Sequence, residues 1–348
     1  MKKTKQDIRQ ITKLELEKFF SDHHAPKFRA CQVYEWLWKH HQLDFNEMTN
    51  IPLKHRNLLQ EHFTTQSIKI IKETTSQDGT IKFLFQLENN NVVEGVLIPQ
   101  LNRLTACISS QSGCSLACDF CATGKLKFGR NLYSSEIYDQ VFLINQYCVS
   151  KFKKPITSIV FMGMGEPLLN FKNVLQSIEH ITSFTGMGMS GKRITVSTVG
   201  ITKIIRKIAD MKPNFNLAIS LHSANDNKRS QIMDINNTNN LSKLLDALKY
   251  FYTKTGIKPT YEYIMLNSFN DSYQDAKDLI NFCKQIPCKV NLIEYNKVEG
   301  AVYEKSTKKS TIAFINVLEK SNILVKLRRS RGEDIGAACG QLATQNQQ

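Results

Sequence analysis

From Leu104 onward, short apolar runs recur about every 36 residues, centred near positions 107, 160, 196, 219, 263, 292 and 326, with helix-type stretches between them. A strand that pairs in parallel with its predecessor needs a crossover of about this length, usually a helix. The spacing therefore predicts an α/β fold with a parallel sheet and right-handed connections. An open nucleotide-binding sheet would carry a glycine fingerprint after its first strand. None is present here, and a partial (βα)6 TIM-like barrel fits better. Four of the runs are followed by small and polar residues: Gly163-Met164-Gly165-Glu166-Pro167, Ser197-Thr198-Val199-Gly200, Ser220-Leu221-His222-Ser223 and Glu294-Tyr295-Asn296. In a βα barrel the strand C-termini share one rim, and ligands bind there.

The chain before position 100 has a different texture. Apolar positions near helical spacing from Ile8 to Phe20, and again from Val33 to Trp38, predict a small helical accessory domain over 1–66. Runs at 68–71, 81–87 and 92–98, separated by Asp78-Gly79 and Asn89-Asn90-Asn91, predict a short antiparallel sheet as a β extension over 67–99. The barrel core is expected over 100–333, and a C-terminal segment over 334–348 ends in a polar tail, Gln345 to Gln348. No apolar run approaches the roughly 18 to 20 residues of a membrane span. Met1-Lys2-Lys3-Thr4-Lys5 leads into an amphipathic helix and not into a signal sequence. A cytoplasmic protein without membrane attachment is expected. The formal charge of +15 draws such a chain to polyanions.

Nine cysteines would be unusual as a disulfide framework in a chain this long and without a leader. Four of them, Cys31, Cys148, Cys283 and Cys288, are scattered and read as small apolar core side chains. Cys114, Cys118 and Cys121 instead form a C-x3-C-x2-C array just after the first barrel strand. Three readings stand on spacing alone: an iron–sulfur cluster with one iron left open, a structural zinc completed by Cys107 or Cys339, or unliganded core thiols.

The array, with an aromatic residue before its last cysteine, resembles the signature of radical S-adenosylmethionine enzymes. Its flanks narrow the likeness. Ala106-Cys107-Ile108-Ser109-Ser110-Gln111-Ser112-Gly113-Cys114, Phe120-Cys121-Ala122-Thr123-Gly124, Arg130-Asn131-Leu132, Phe161 through Asn170, Ser220-Leu221-His222 and Ala338-Cys339-Gly340-Gln341-Leu342 together resemble the RlmN/Cfr family of RNA adenine methyltransferases. The likeness runs in order over roughly residues 92–342 and is closer to the RlmN branch, because Pro167 follows Gly163-Met164-Gly165-Glu166.

The resemblance implies a chemistry. Cys114, Cys118 and Cys121 would hold one 4Fe-4S cluster whose open iron binds S-adenosylmethionine. Two such molecules would serve each methyl transfer, one methylating Cys339 and the other yielding a 5′-deoxyadenosyl radical that activates that methyl group. The product would be adenine methylated at carbon 2 in 23S rRNA, with tRNA as a second substrate of some members. Cys107 would resolve the protein–RNA adduct through a transient disulfide with Cys339, and Glu94 would accept the proton. Gly165, Glu166, Ser197, Ser220, Leu221, His222 and Asn296 match the family's cofactor contacts. After Asn296 the family usually has a proline-rich loop, where this chain reads Lys297-Val298-Glu299-Gly300-Ala301. A low-potential electron donor such as flavodoxin and a monomeric state belong to the same expectation. Lys27, Arg29, Lys39, Lys54 and Arg56, interleaved with Tyr34, Trp36 and Trp38, are a candidate RNA-facing surface, the alternative being ordinary core aromatics under a solvated basic face. The competing functions are carbon-8 methylation, as in the Cfr branch, and a zinc-stabilised RNA-binding module without catalysis.

Overall fold

The computed structural model describes residues 5–88 and 90–343. Residues 1–4, Asn89 of the expected asparagine turn, and the tail from 344 lie outside that range. Ten strands make one mixed sheet: β1 (Lys69–Thr75), β2 (Ile81–Gln86), β3 (Val92–Gln100), β4 (Arg103–Cys107), β5 (Ser158–Phe161), β6 (Ile194–Thr198), β7 (Asn216–Ser220), β8 (Thr260–Met265), β9 (Lys289–Glu294) and β10 (Val325–Arg328). They lie side by side in chain order. Strands β4 to β10 are all parallel. These are the seven strands that the 36-residue spacing predicts.

Their crossovers are the helices α4 (Ser134–Phe152), α5 (Phe171–Thr182), α6 (Thr202–Asp210), α7 (Leu241–Thr255), α8 (Tyr273–Cys283) and α9 (Lys308–Lys320), after three earlier helices, α1 (Lys13–Asp22), α2 (Phe28–Trp38) and α3 (Leu53–His62). Val196, Leu217, Ala218, Ile219, Tyr261, Tyr263 and Leu292 are fully buried, as strands covered on both faces must be.

The antiparallel strands expected near 68–99 are present, and they join the barrel sheet instead of forming a sheet of their own. Strand β3 pairs with β4 from Val96↔Cys107 to Gln100↔Arg103, so the edge of the barrel is covered by β3, β2 and β1. An uncovered β4 would present a row of unpaired backbone groups. The Asp78-Gly79 turn is as expected: Gly79 has a φ of 84°, and Asp78 Oδ1 accepts the Thr80 N–H at 2.9 Å.

The first helix is shorter than its apolar pattern suggests. Ile8–Gln10 form a single 3-10 turn, and α1 starts only at Lys13, where Thr12 and Glu15 make a reciprocal capping box. Arg9, held in that turn, reaches the barrel. Its guanidinium binds Asp139 of α4 through both nitrogens, at 2.7 and 3.1 Å, with the two side chains 1% and 0% exposed. His41 Nε2 lies 2.8 Å from the same carboxylate, and Ser67 Oγ and the Ile68 N–H also donate to it.

Beside this pair, Trp38 stacks on His180 of α5 with ring centroids 3.6 Å apart, and Tyr138 donates to the Trp38 carbonyl. These contacts decide for the second reading of the aromatics, a core beneath a basic face. Tyr34 and Trp38 are buried core residues, and Trp36 packs half-buried against that core. Lys27, Lys39 and Lys54 do face solvent. No helix among the described residues is long and apolar enough to cross a membrane.

Candidate active site

The rim formed by the strand C-termini surrounds a cavity of about 970 Å³, counting its open mouth. Its wall brings together residues far apart in sequence: Cys114, Cys118 and Cys121, Gly165 and Glu166, Ser197, Ser220 and His222, and Cys339. Nine of the thirteen residues singled out from the sequence therefore share one space. The other four are Glu94, Cys107, Leu221 and Asn296.

The cysteine loop leaves the barrel after β4. It is closed by a short antiparallel pairing of Gln111–Ser112 with Arg130–Asn131, and Gly113 (φ 76°) turns the chain where a Cβ would meet the Lys127 carbonyl at 2.4 Å. The three thiols line the cavity together with Glu166 and Cys339. Three thiolates there could hold three irons of a four-iron cluster and leave the fourth open to the cavity.

The segment bearing Cys339 is clasped to this loop. The Ala122 N–H donates to the Gly340 carbonyl at 2.7 Å, and Thr123 Oγ1 to the Leu342 carbonyl at 2.5 Å. Asn296 Nδ2 donates to the Cys339 carbonyl itself at 3.1 Å. The structure thus places Asn296 behind Cys339 and off the cavity wall, and its Oδ1 is buried without a partner among the described residues. Farther back, Gly332 N–H and Ser76 Oγ bond to Asp78 and Asp334, tying the segment to the β1–β2 turn. The Leu221 side chain lies in the hydrophobic core, and its carbonyl accepts from Arg229 Nε at 3.1 Å beneath the rim.

Glu94 stands on β3, buried, with Lys82 Nζ 3.2 Å from Oε1 and, among the described residues, no hydrogen-bond partner within reach of Oε2; the Ala343 N–H also acts on the carboxylate. Burial raises its carboxyl above the usual range, partly opposed by Lys82. Cys107 ends β4 and is buried. Burial pushes its thiol up to about 12; Cys339 adds to the rise and Arg328 opposes it. The Cys339 thiol, reachable by solvent through the mouth yet surrounded by protein, is likewise raised to about 11, chiefly by desolvation, with Arg328 again opposing. The two thiols are therefore within each other's electrostatic reach, and Arg328 acts on both. All nine cysteines are free, so the disulfide expected between Cys107 and Cys339 is not formed in this structure.

The cofactor-contact candidates are mostly committed to shaping the rim. Glu166 accepts the Leu168 and Val199 N–H groups, each at 2.9 Å, one on each carboxylate oxygen, and burial lifts it to about 7. Gly165 has a φ of 92°, and a Cβ there would meet the Gln111 side chain at 2.4 Å. His222 Nδ1 accepts the Ile264 N–H at 3.1 Å, which assigns the ring proton to Nε2. Burial, with Arg229 adding, lowers His222 to about 3, so the ring is a neutral donor at physiological pH.

Sequence reading missed three charged residues here. Glu262 lies on the cavity wall, 3.3 Å from Arg328 Nη1, and Arg229 lies beneath the rim. A glutamate between Tyr261 and Tyr263 in an otherwise apolar parallel strand was the available signal.

Comparison with known proteins follows the same outline. Residues 6–65 match the family described as the ribosomal RNA large subunit methyltransferase N-terminal domain, and residues 108–283 match the radical SAM superfamily. A probable dual-specificity RNA methyltransferase RlmN of Christiangramia forsetii is 49% identical over 99% of this chain and 98% of its own. A dual-specificity RNA methyltransferase RlmN of Desulfotalea psychrophila is 42% identical over 97% and 95%. The crystal structure of a radical SAM methyltransferase from Sphaerobacter thermophilus superposes with a TM-score of 0.89 at 32% identity, covering 97% of this chain and 99% of that one.

Proposed function

The chain belongs to the RlmN family of dual-specificity RNA methyltransferases, and from that premise we infer that it methylates carbon 2 of adenine in 23S rRNA and in tRNA by radical chemistry at this cavity. The observation that carries the site assignment is the meeting of Cys339 with Cys114, Cys118 and Cys121 on one wall, more than 200 residues apart in sequence. In this reading the three cysteines hold the 4Fe-4S cluster. Gly165, Glu166, Ser197, Ser220 and His222 form the bed for S-adenosylmethionine, and Asn296 and the Leu221 backbone hold the rim in place. Bound together, cluster and cofactor supply a carbon-centred radical, chemistry that belongs to them and not to the fold.

The protein's own residues do the rest. Cys339 Sγ would take up a methyl group from S-adenosylmethionine and carry it toward the base, two cofactor molecules serving each transfer in this reading. Asn296, Ala122 and Thr123 fix the Cys339 segment so that the carbon meets a flipped adenine. The adduct so formed would hold one unpaired electron, which would return to the iron–sulfur centre, while Glu94 would accept the carbon-2 proton. Cys107 Sγ then attacks Cys339 Sγ. The electron pair of the broken S–C bond stays with the carbon, which takes up a proton to become the product methyl group, and the two sulfurs are left as a disulfide. A low-potential one-electron donor of the flavodoxin type serves the cluster. The protein works as a monomer, and its N-terminal unit contacts RNA through its exposed lysines.

The test is mass spectrometry of nucleosides from rRNA and tRNA of a host lacking the activity. The intact protein restores 2-methyladenosine in both, while Cys339→Ala, loaded with about four irons, restores neither. An 8-methyl product, or a colourless protein holding one zinc, would refute the reading.

A further inference from the structure

Arg229, on the short helix Asp226–Ile232, is 0% exposed and forms no ion pair among the described residues. Neutral oxygens take all of its donors. Nε bonds the Leu221 carbonyl at 3.1 Å; Nη1 bonds Asn236 Oδ1 at 2.7 Å and the Asn239 carbonyl at 3.4 Å; Nη2 bonds the Val199 carbonyl at 2.6 Å and the Ser220 carbonyl at 3.3 Å. The hydrogen bonds are complete, but the charge is not balanced. A buried cation without a counter-charge costs several kcal/mol.

Asp226 does not supply the counter-charge by contact, because its Oδ1 is taken by Asn236 Nδ2 and the Leu241 N–H, each at 2.9 Å. The helix that carries Arg229 also abuts the cysteine loop. The Asp119 N–H donates to the Ile232 carbonyl, and Met233 packs with Cys118 and Phe120. Once Cys118 is a thiolate it acts on the guanidinium electrostatically, as the Asp226 carboxylate does.

A cluster in its oxidised 2+ state held by three thiolates carries a net charge of −1, and one added electron makes it −2. We propose that Arg229 is the built-in counter-ion of the iron–sulfur centre: a fixed charge beneath the rim that favours the reduced cluster while it ties together the loops after β6 and β7. It is a positioning residue and touches no reacting atom. The proposal rests on Cys114, Cys118 and Cys121 being the cluster ligands.

The experiment is a potentiometric titration of the reconstituted holoenzyme, read by visible absorbance and EPR, on the wild type, Arg229→Gln and Arg229→Lys. A unit charge on the order of 10 Å away at an effective dielectric near 20 is worth about a factor of ten. At a fixed donor potential the reduced-to-oxidised ratio of R229Q is expected to fall about tenfold, equivalent to about 59 mV for one electron. R229K keeps the charge but loses most of the carbonyl contacts, and it is expected to stay within about threefold of the wild type. Equal ratios in wild type and R229Q, or equal shifts in R229Q and R229K, would overturn the proposal. Should R229Q hold no iron, R229K decides: iron at wild-type stoichiometry with an unshifted ratio supports the counter-ion, and a tenfold shift overturns it. Failure of both folded variants to load iron would mean a purely geometric clasp and would also overturn it. A wild-type protein without iron would instead sink the cluster assignment on which the proposal stands.

Discussion

Replacing Asp139 with Asn strikes the junction between the N-terminal unit and the barrel. The Asp139 carboxylate receives Arg9 twice, His41, Ser67 Oγ and the Ile68 N–H, at 2.7 to 3.3 Å, with no solvent exposure. Asn keeps the shape and some of these bonds but leaves the Arg9 charge buried and unopposed. Breaking one side of such a pair costs about 3–5 kcal/mol, a large part of the roughly 5–15 kcal/mol that holds a typical protein folded. Removing both charges in Arg9→Met/Asp139→Leu should recover most of the loss, because the desolvation cost disappears with the attraction.

The loss also depends on pH. Burial pushes the Asp139 carboxyl up, but Arg9 and His41 together outweigh it and hold the group below its ordinary 3.8. A depressed folded pKa means that the stabilisation is present above the unfolded value and vanishes as pH falls through the folded one. The difference between wild type and D139N should therefore be full at pH 7 and shrink below about pH 4. Urea unfolding followed by Trp38 fluorescence in a Trp36→Phe background measures it. A D139N loss under about 1 kcal/mol, or a double variant no better than the single one, would refute the account.

The other predictions concern the cavity. Glu94→Gln keeps the shape but removes the base, so turnover should fall about 10²- to 10⁴-fold with iron content unchanged; turnover above a tenth of wild type would exclude Glu94 as proton acceptor. Cys107→Ala should accumulate a covalent protein–RNA adduct on denaturing gels, and its absence from cluster-loaded protein would contradict the resolving role. Since Cys107 is raised to about 12, its thiolate is scarce at neutral pH, and adduct release in a single turnover should quicken about tenfold per unit from pH 7 to 9; a flat profile would point to another resolving group. RNA binding by a chain of charge +15 should weaken steeply with added salt, which filter binding at 50 and 200 mM can check against a flat response.

Periodicity made the barrel legible, because each parallel strand must be apolar on both faces and each crossover needs a similar length of chain. Strand-end polarity did the same for the rim. The helical unit was harder: a basic stretch studded with Tyr34 and Trp38 reads equally well as a stacking surface or as a core under a charged shell. The choice was made by α4 and α5, more than 90 residues away. Arg229, Glu262 and Arg328 escaped for a related reason. Singly, each is an ordinary charged residue, and only the fold shows that Arg229 and Glu262 are buried and that the partly exposed Arg328 faces Glu262. The contact of Asn296 with the backbone carbonyl at position 339 could not be read from the sequence, since such a contact leaves no trace in local spacing.

The cavity wall is drawn from residues 114 to 342, so almost none of it can form from local contacts. Topology of this kind makes long-range pairing slow and leaves collapsed intermediates exposed for longer. Until the last strands dock, the thiols that later sit apart are free to meet one another, stray soft metal ions or oxidants. The centre can therefore close only after the segments from 114 to 342 have come together. How the half-folded chain is shielded, more than the strength of the finished sheet, then sets how much competent protein accumulates.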